Sequence, residues 1–295
     1  MPLSPARIAA LYREACHAEL DALKPGNVHR FAGGHGMDVG VFEASAEVSA
    51  PEMSAPGRAV GTRVLRAVEA TFAAVGMNTN LGILLLCAPL AAAAERACVA
   101  AGSSAEAALR AALADVLAGL AADDARDAFA AIARASPGGL GTRGEHDVRA
   151  APAIGLVDAM RIAAPRDLVA RQYADGFSAV FSVGLPALRA ARAKNGDGMD
   201  PVVDCFLAIA AAFPDSHVGR KFGDIAAQDL QLRMIAAHKH LATLHNPGER
   251  LEFLGDFDAA LKREGLNPGT SADLTVASIF ADGLADSLKI GGADD

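Results

Sequence analysis

The chain has 295 residues, of which 68 are alanine and none is tryptophan; 27 Lys and Arg stand against 35 Asp and Glu, a formal net charge of −8. Alanine is the strongest helix former and is depleted in strands, so the composition argues against an all-β protein. The sequence also lacks the basic face with stacking aromatic residues that is typical of nucleic-acid binding, so we expect no nucleic-acid partner.

Apolar residues recur at spacings of three and four along most of the chain, which is the period of an amphipathic helix. In chain order these stripes lie at 64–75, 109–120, 129–132, 166–193, 201–213, 230–241, 253–261 and 277–288. Ser103 and Glu106 have capping-box spacing, Asp123 or Asp124 can cap the next helix, and Asp200 before Pro201 predicts another helix start. We therefore predict an all-α protein, residues 1–295 forming a single compact multi-helix domain of about ten helices.

The four cysteines form no CxxC pair and have no zinc-ligand spacing, which favours buried free thiols in a reducing compartment. The apolar stretch 81–94 is shorter than the roughly 20 residues needed to span a bilayer and contains Pro89. The N-terminal residues do not resemble a signal peptide. We expect a soluble cytoplasmic protein with no membrane partner.

Six polar segments rich in Gly or Pro separate the predicted helices, and such loops often carry function on a rigid scaffold. They lie at 24–30, 33–38, 76–82, 139–147, 213–223 and 267–273. They hold most of the Asn, His and clustered charge that stands out against the Ala- and Leu-rich background. We therefore expect the functional residues in these segments.

Each segment has two interpretations. Lys24 and the backbone N–H groups of the Pro-Gly turn can bind a phosphate, or they can simply end a helix. Asn78 and Asn80 can accompany an anion at a helix start, or only cap it. The cluster from Asp215 to Lys221 can hold Mg²⁺ and phosphate, or be a solvated loop. His146, near Arg143, can pair with a carboxylate for acid–base chemistry.

Taken together, these segments resemble triphosphoribosyl-dephospho-CoA synthases. Residues 24–30, Gly36-Met37-Asp38, and Phe42 with Ser45 are similar to that family's KPG-x-VDR…GAH-x-DMD-x-x-x-F-x-x-S start. Residues 76–82, 215–221 and 267–273 are similar to its G-V-NTHKG, D-[ST]-x-x-x-R-x-x-G and NPGG-SAD segments. The order and spacing agree over about residues 10–285.

The resemblance implies an all-helical, Mg²⁺-dependent enzyme that moves a 5-triphosphoribosyl group from ATP to the 2′-hydroxyl of 3′-dephospho-CoA and releases adenine. It implies catalytic roles for Asp38, His35, His146 and Asp215, with Asp38 and Asp215 also as metal ligands. The residues that we predict to bind the phosphates and nucleotide are Lys24, Gly26, Asn27, His29, Asn78, Asn80, Gly82, Arg143, Arg220, Lys221 and Asp273. The partners are ATP and dephospho-CoA or a related small acceptor, and self-association into a homo-oligomer is left open.

Two departures from the family pattern leave alternatives open. The family's aspartate in KPG-x-VD is His29 here, and its His-Lys pair in NTHKG is Asn80-Leu81. One alternative is a divergent ribosyl or phosphoribosyl transferase in coenzyme synthesis for one-carbon metabolism. Another is a non-catalytic helical binding protein derived from the family. A hydrolase of the ADP-ribosyl type ranks third, because no paired acidic cluster is present.

Overall fold

Helices are the only regular elements in the computed structural model, which describes residues 2–33, 38–136, 150 and 152–290. The helices in these ranges are α1 (Pro5–Asp21), α2 (Val39–Met53), α3 (Val60–Val75), α4 (Leu81–Ala94), α5 (Ala105–Ala118), α6 (Ala122–Ala135), α7 (Leu156–Ala163), α8 (Leu168–Asp175), a π-helix (Val180–Gly184), α9 (Leu185–Asn195), α10 (Met199–Ala212), α11 (Ser216–Phe222), α12 (Asp224–Leu241), α13 (Pro247–Arg263) and α14 (Gly269–Ile290). The all-α prediction is confirmed.

The predicted number of about ten helices is too low, chiefly because the stripe at 166–193 is interrupted. α8 ends at Gly176, which adopts a left-handed conformation with φ of +71°, and Phe177 follows with φ of +63°. The chain then continues as the π-helix and α9. The predicted loop at 213–223 also contains a helix, α11, and α10 begins at Met199, so Asp200 lies in its first turn rather than at its N-cap.

The main hydrophobic core is built around α4 and α14. Every residue of α4 from Ile83 to Ala94 is buried, as expected for a helix that is apolar on all sides. α14 occupies a central position, because it packs against α1, α4, α5, α9, α10 and the π-helix. The N-terminal ends of these two central helices are consequently held firmly in place.

A second core lies among α10, α12 and α13. Phe206, Leu230, Met234, Leu254 and Leu261 are fully or almost fully buried there. Ile279 of α14 packs against both cores and joins them. Two hydrophobic clusters therefore support the same long C-terminal helix.

All four cysteines are free, as predicted, and Cys98 is exposed while the other three are buried. Burial raises the pKa of the Cys205 thiol to about 12. By length and hydropathy, no helix in the described ranges could cross a membrane alone, while α10 and α11 pass that test only as a pair bent by 53°.

Gly61 of α3 provides a test of this packing. Its N–H donates to Asp124 Oδ1 at 2.8 Å, and a Cβ at this position would overlap the Asp124 backbone, with Cα only 2.6 Å away. Because backbone cannot move aside as a flexible side chain can, we expect Gly61→Ala to lower the free energy of unfolding by about 1–3 kcal/mol. Urea denaturation followed by circular dichroism measures the change.

Gly255→Ala in α13 is the matched control, because nothing lies within 4 Å of a Cβ there. Alanine is the better helix former, so this variant should be neutral or more stable by up to about 1 kcal/mol. Equal stability of the two variants would contradict the close approach of α3 and α6.

Candidate functional site

Four of the six polar segments meet at the start of α14. The segment 24–30 touches 266–268, the segment 213–223 is joined to residues 270 and 271, and Gly82 of 76–82 lies against Asp273. These segments are separated by up to about 240 positions in the chain, and only the packing of helices brings them together. Four of the six segments in which we expected functional residues therefore lie together at one place.

The Lys24-Pro25-Gly26 turn fits closely under the segment that precedes α14. Gly26 has φ of +83°, and a Cβ there would lie 2.8 Å from the Leu266 carbonyl oxygen. Its N–H donates to Asp258 Oδ1 at 2.9 Å, and Asn27 Nδ2 donates to Asn267 Oδ1 at 2.8 Å. Gly26 and Asn27 thus fasten one loop to another, whereas we had predicted that they contact the nucleotide.

Lys24 is fully buried, with 0% of its surface exposed. Its Nζ donates to the carbonyl oxygens of Glu19 (2.6 Å), Ala22 (3.2 Å) and Val28 (3.0 Å), and lies 3.1 Å from Glu19 Oε1. Burial lowers the pKa of Lys24 and raises that of Glu19, while each partner's charge acts against those shifts. All its donors are used internally, so Lys24 holds the turn and does not face a phosphate as predicted.

His29 is also buried, and it joins the turn to α13. Its Nδ1 accepts from the Ala32 N–H at 3.2 Å, and its Nε2 lies 3.2 Å from both Asp258 Oδ1 and Lys262 Nζ. Lys262 Nζ lies 3.0 Å from Asp258 Oδ2. Burial lowers the pKa of His29; in Asp258 burial acts to raise the pKa, but His29, Lys262 and the Gly26 N–H outweigh it and hold that pKa low. His29 therefore positions the loop rather than binding substrate.

Asp215 forms the junction between α11 and α14. Its Oδ1 accepts from the N–H groups of His217 (2.9 Å) and Val218 (3.1 Å), and its Oδ2 from the N–H (2.8 Å) and hydroxyl (2.9 Å) of Ser271. Only 3% of the residue is exposed. The prediction of a catalytic or metal-binding role for Asp215 is not supported, because all its oxygens are already engaged in capping two helices.

The two cations of α11 lie in different surroundings. Arg220 Nη1 donates to Asp167 Oδ2 at 2.5 Å, and its buried Nε–H meets no acceptor among the described residues. Lys221 is exposed and sits over the Phe222 ring, 5.1 Å from its centroid. Arg220 is consequently the better placed of the two for a ligand at the cluster, and Lys221 lies at its periphery.

The asparagines of 76–82 shape the start of α4. Asn78 Oδ1 accepts from the Leu81 N–H at 3.2 Å, which is the capping interaction. Asn80 is 5% exposed; its Oδ1 receives a long hydrogen bond of 3.4 Å from Thr71, and its Nδ2 has no partner in the described chain. A buried amide without an acceptor is costly, which often marks a position where a ligand completes the bonding.

Asp273 lies on α14 directly against Gly82. A side chain at position 82 would overlap the carboxylate, because the Asp273 Cγ is 2.6 Å from where a Cβ would stand. No side chain or N–H group of the described residues forms a hydrogen bond or an ion pair with this carboxylate. Burial and the charges of Asp215 and Glu19 raise the pKa of Asp273 well above its usual value, and Arg220 opposes the shift.

Of the remaining predicted residues, only Asp38 lies within the described ranges. Asp38 is exposed and caps α2, accepting from the Val41 N–H at 3.1 Å. His35, Arg143 and His146 lie outside the described residues. Within the ranges that are described, no three His, Cys, Asp or Glu side chains form a group that could hold a metal ion.

Four residues at the cluster escaped the sequence reasoning: Glu19, Asp167, Asp258 and Lys262. Each lies on or beside a helix without a glycine or proline neighbour that would have drawn attention to it. Their partners are far away in sequence, so spacing carries no signal for them. They are distinguished only by their surroundings in the fold, where Glu19 and Asp258 are buried and Asp167 and Lys262 are partly buried.

A solved structure shares this helical fold. The crystal structure of an Archaeoglobus fulgidus protein, titled a "putative triphosphoribosyl-dephospho-coA synthase", superimposes with a TM-score of 0.61 and 24% identity, covering 81% of this chain and 96% of that one. At this identity the likeness concerns the fold. The molecule thus shares the helical architecture of that protein.

The family follows from the sequence comparison. The model of the CitG family, ATP:dephospho-CoA triphosphoribosyl transferase, matches residues 5–291, and the chain belongs to this family. A Pseudomonas fluorescens Pf-5 protein named "Probable 2-(5''-triphosphoribosyl)-3'-dephosphocoenzyme-A synthase" is 33% identical over 109 residues. That match covers 36% of this chain and 36% of the Pseudomonas protein.

The burial of Lys24 leads to a stability prediction. Removing one member of a buried ion pair leaves the other charge and the backbone carbonyls without a partner, so Lys24→Met should lower the free energy of unfolding by about 3–5 kcal/mol. Exposed Lys221→Met should change it by less than about 0.5 kcal/mol. A Lys24→Met protein as stable as the wild type, with a raised KM for ATP, would restore the phosphate-binding interpretation.

Asp215 and Asp38 are both helix N-caps, which makes them a matched pair. Asp215→Asn would place an amide donor opposite the Ser271 N–H in a buried position and should cost about 1–3 kcal/mol of stability. Asp38→Asn should be nearly neutral, since Asn and Asp are equally good caps at an exposed site. Thermal unfolding of both variants measures these changes. An Asp215→Asn variant with the unfolding temperature of the wild type would show that the four hydrogen bonds of Asp215 contribute little to stability.

Proposed function

We propose that the protein transfers the 5-triphosphoribosyl group of ATP to the 2′-hydroxyl of 3′-dephospho-CoA and releases adenine. Family membership over residues 5–291 supports the reaction class. The structural observation that carries the proposal is the meeting of four polar segments at α14, with the Asp273 carboxylate unpaired among them.

The acidic surroundings of Asp273 suit the breaking of an N-glycosidic bond. That bond breaks through an oxocarbenium-like state, which nearby carboxylates stabilise. Asp215, Glu19 and Asp167 all contribute negative charge at Asp273. Placing the ribosyl carbon near Asp273 would therefore favour the positive charge that develops on the sugar.

The triphosphate requires cations on the outer side of this cluster. Arg220, with its unpartnered Nε–H, and exposed Lys221 lie on one short helix beside Asp273 and are the described candidates. Arg143 remains a further candidate from the sequence. Mg²⁺ bound to the triphosphate would neutralise phosphate charge and needs only one or two carboxylates, for which exposed Asp38 is our proposed ligand.

The wider setting follows from the substrates and the charge. ATP and a coenzyme A precursor are small soluble metabolites, so we place the protein in the cytoplasm. The net charge of −8 disfavours nucleic acid as a partner.

The test is an incubation of the purified protein with ATP, MgCl₂ and 3′-dephospho-CoA, with adenine and the acceptor product quantified by chromatography and mass spectrometry. We expect one adenine for each product whose mass has increased by a triphosphoribosyl unit. Omitting 3′-dephospho-CoA should abolish adenine release, and so should chelating the Mg²⁺.

Other outcomes separate the alternatives. Adenine released equally without an acceptor would indicate a hydrolase. No adenine with any acceptor, together with no ATP binding by calorimetry, would indicate a binding protein and contradict the proposal.

A different acceptor is the second candidate, and two features of the structure favour testing it. Leu81 replaces a family lysine and is buried in the main core, so it supplies no charge to a ligand. His29 replaces a family aspartate and is engaged with Asp258. A panel of ribose-containing acceptors in the same assay would identify a preference other than 3′-dephospho-CoA.

A further inference from the structure

We infer that Asp273 is the acid of the reaction, donating the proton that adenine needs in order to leave. This inference rests on the proposed function and assigns its central chemical step. From the sequence, Asp273 was predicted only to bind the nucleotide, and the acid–base role was assigned to His35 or His146.

Among the described carboxylates at the cluster, Asp273 is the one that has no hydrogen-bond or ion-pair partner. Asp215 accepts four hydrogen bonds, Asp258 is bonded to His29, Lys262 and the Gly26 N–H, Glu19 pairs with Lys24, and Asp167 pairs with Arg220. A group that is already bound in this way cannot exchange a proton with substrate without breaking those contacts. Asp273 has no such contact in the described structure and keeps part of its surface accessible.

The absence of a side chain at Gly82 leaves space for the Asp273 carboxylate. Gly82 removes the side chain that would otherwise occupy the position of its carboxylate. Two residues earlier, Asn80 holds a buried amide nitrogen with no acceptor. The ring nitrogens of adenine accept hydrogen bonds, so a protonated carboxyl group and an unpaired amide can both serve as donors to it.

The charged groups around Asp273 support the same role. The charged groups that act on Asp273 from the surrounding elements are Glu19 of α1, Asp167 before α8, and Asp215 and Arg220 at α11. With burial, the acidic neighbours raise the pKa of Asp273 and Arg220 only partly opposes them. The carboxyl therefore retains its proton at a higher pH than an ordinary aspartate, as a general acid requires.

The step balances in atoms and charge. The C1′–N9 bond of ATP breaks and its electron pair goes to the adenine, which takes the Asp273 proton on a ring nitrogen. The 2′-hydroxyl oxygen forms the new bond to C1′, and its proton restores the Asp273 carboxyl group. The net change is transfer of the hydroxyl proton to adenine, with no further reactant.

Asp273→Asn is the primary test, with kcat and KM for adenine release measured across pH. Losing a general acid typically costs 10²- to 10⁴-fold, so kcat should fall by about that factor with KM for ATP changed by less than about threefold. The wild-type kcat should decrease at high pH as Asp273 loses its proton, and the variant should lack that decrease. A variant kcat within threefold of the wild type, with the same pH profile, would overturn the inference and leave the proposed function standing.

The stability of the Asp273→Asn variant distinguishes a catalytic role of Asp273 from a structural one. A folded pKa above the unfolded value means that wild-type stability falls as pH rises from about 4 through the folded pKa. Asp273→Asn should therefore unfold at the same or a higher temperature than the wild type at pH 7, while being less active. A lower unfolding temperature with lost activity would indicate a structural residue and overturn the inference.

Gly82→Ala is a second variant that keeps Asp273 but displaces its carboxylate. We expect it to lose activity as Asp273→Asn does, whereas Gly255→Ala should retain full activity. Full activity in Gly82→Ala would contradict the inferred position of the acid. Absence of adenine release by the wild type itself would instead contradict the proposed function, and this inference with it.

Discussion

The Asp215 carboxylate is the interaction on which the rest of the site depends. It caps α11 with one oxygen and binds the first turn of α14 with the other. Because α14 packs through both hydrophobic cores, fixing its first turn also fixes the segments that lie against it. A single buried carboxylate thereby links a short helix to the longest helix of the protein.

Two kinds of residue surround this junction. Some have polar groups that are bonded within the protein, and others have polar groups that are left without a partner. Lys24, Gly26 and His29 use their polar groups on the protein itself, so the turn that contains them is rigid. Asn80 and Arg220 each keep a buried nitrogen without a partner in the described structure, and the partly accessible Asp273 carboxylate lies close to Gly82. An unsatisfied buried group destabilises the protein, so Asn80 and Arg220 mark positions where a ligand could complete the bonding.

The sequence alone predicted the scaffold well and the roles within the site poorly. The stripe at 64–75 lies within α3, and Ser104 caps α5 beside the capping-box position, because both depend on neighbours in the chain. Lys24 shows what the local sequence cannot predict. A lysine before Pro-Gly has the same local pattern whether it is exposed to solvent or is buried and donates to three backbone carbonyl groups. Whether Asp273 has a partner depends on residues of α1, α4 and α11, which are distant in sequence, so the local pattern around Asp273 does not predict it.

The anchoring of the Lys24-Pro25-Gly26 turn connects the site to the second core. Gly26 and His29 are held by Asp258, which lies between Leu254 and Leu261 of α13, two residues of that core. Local opening of α12 and α13 would release the turn while α4 and α14 remained packed. Heat inactivation would then precede loss of most helical structure, and the lifetime of the site would be governed by the weaker of the two cores.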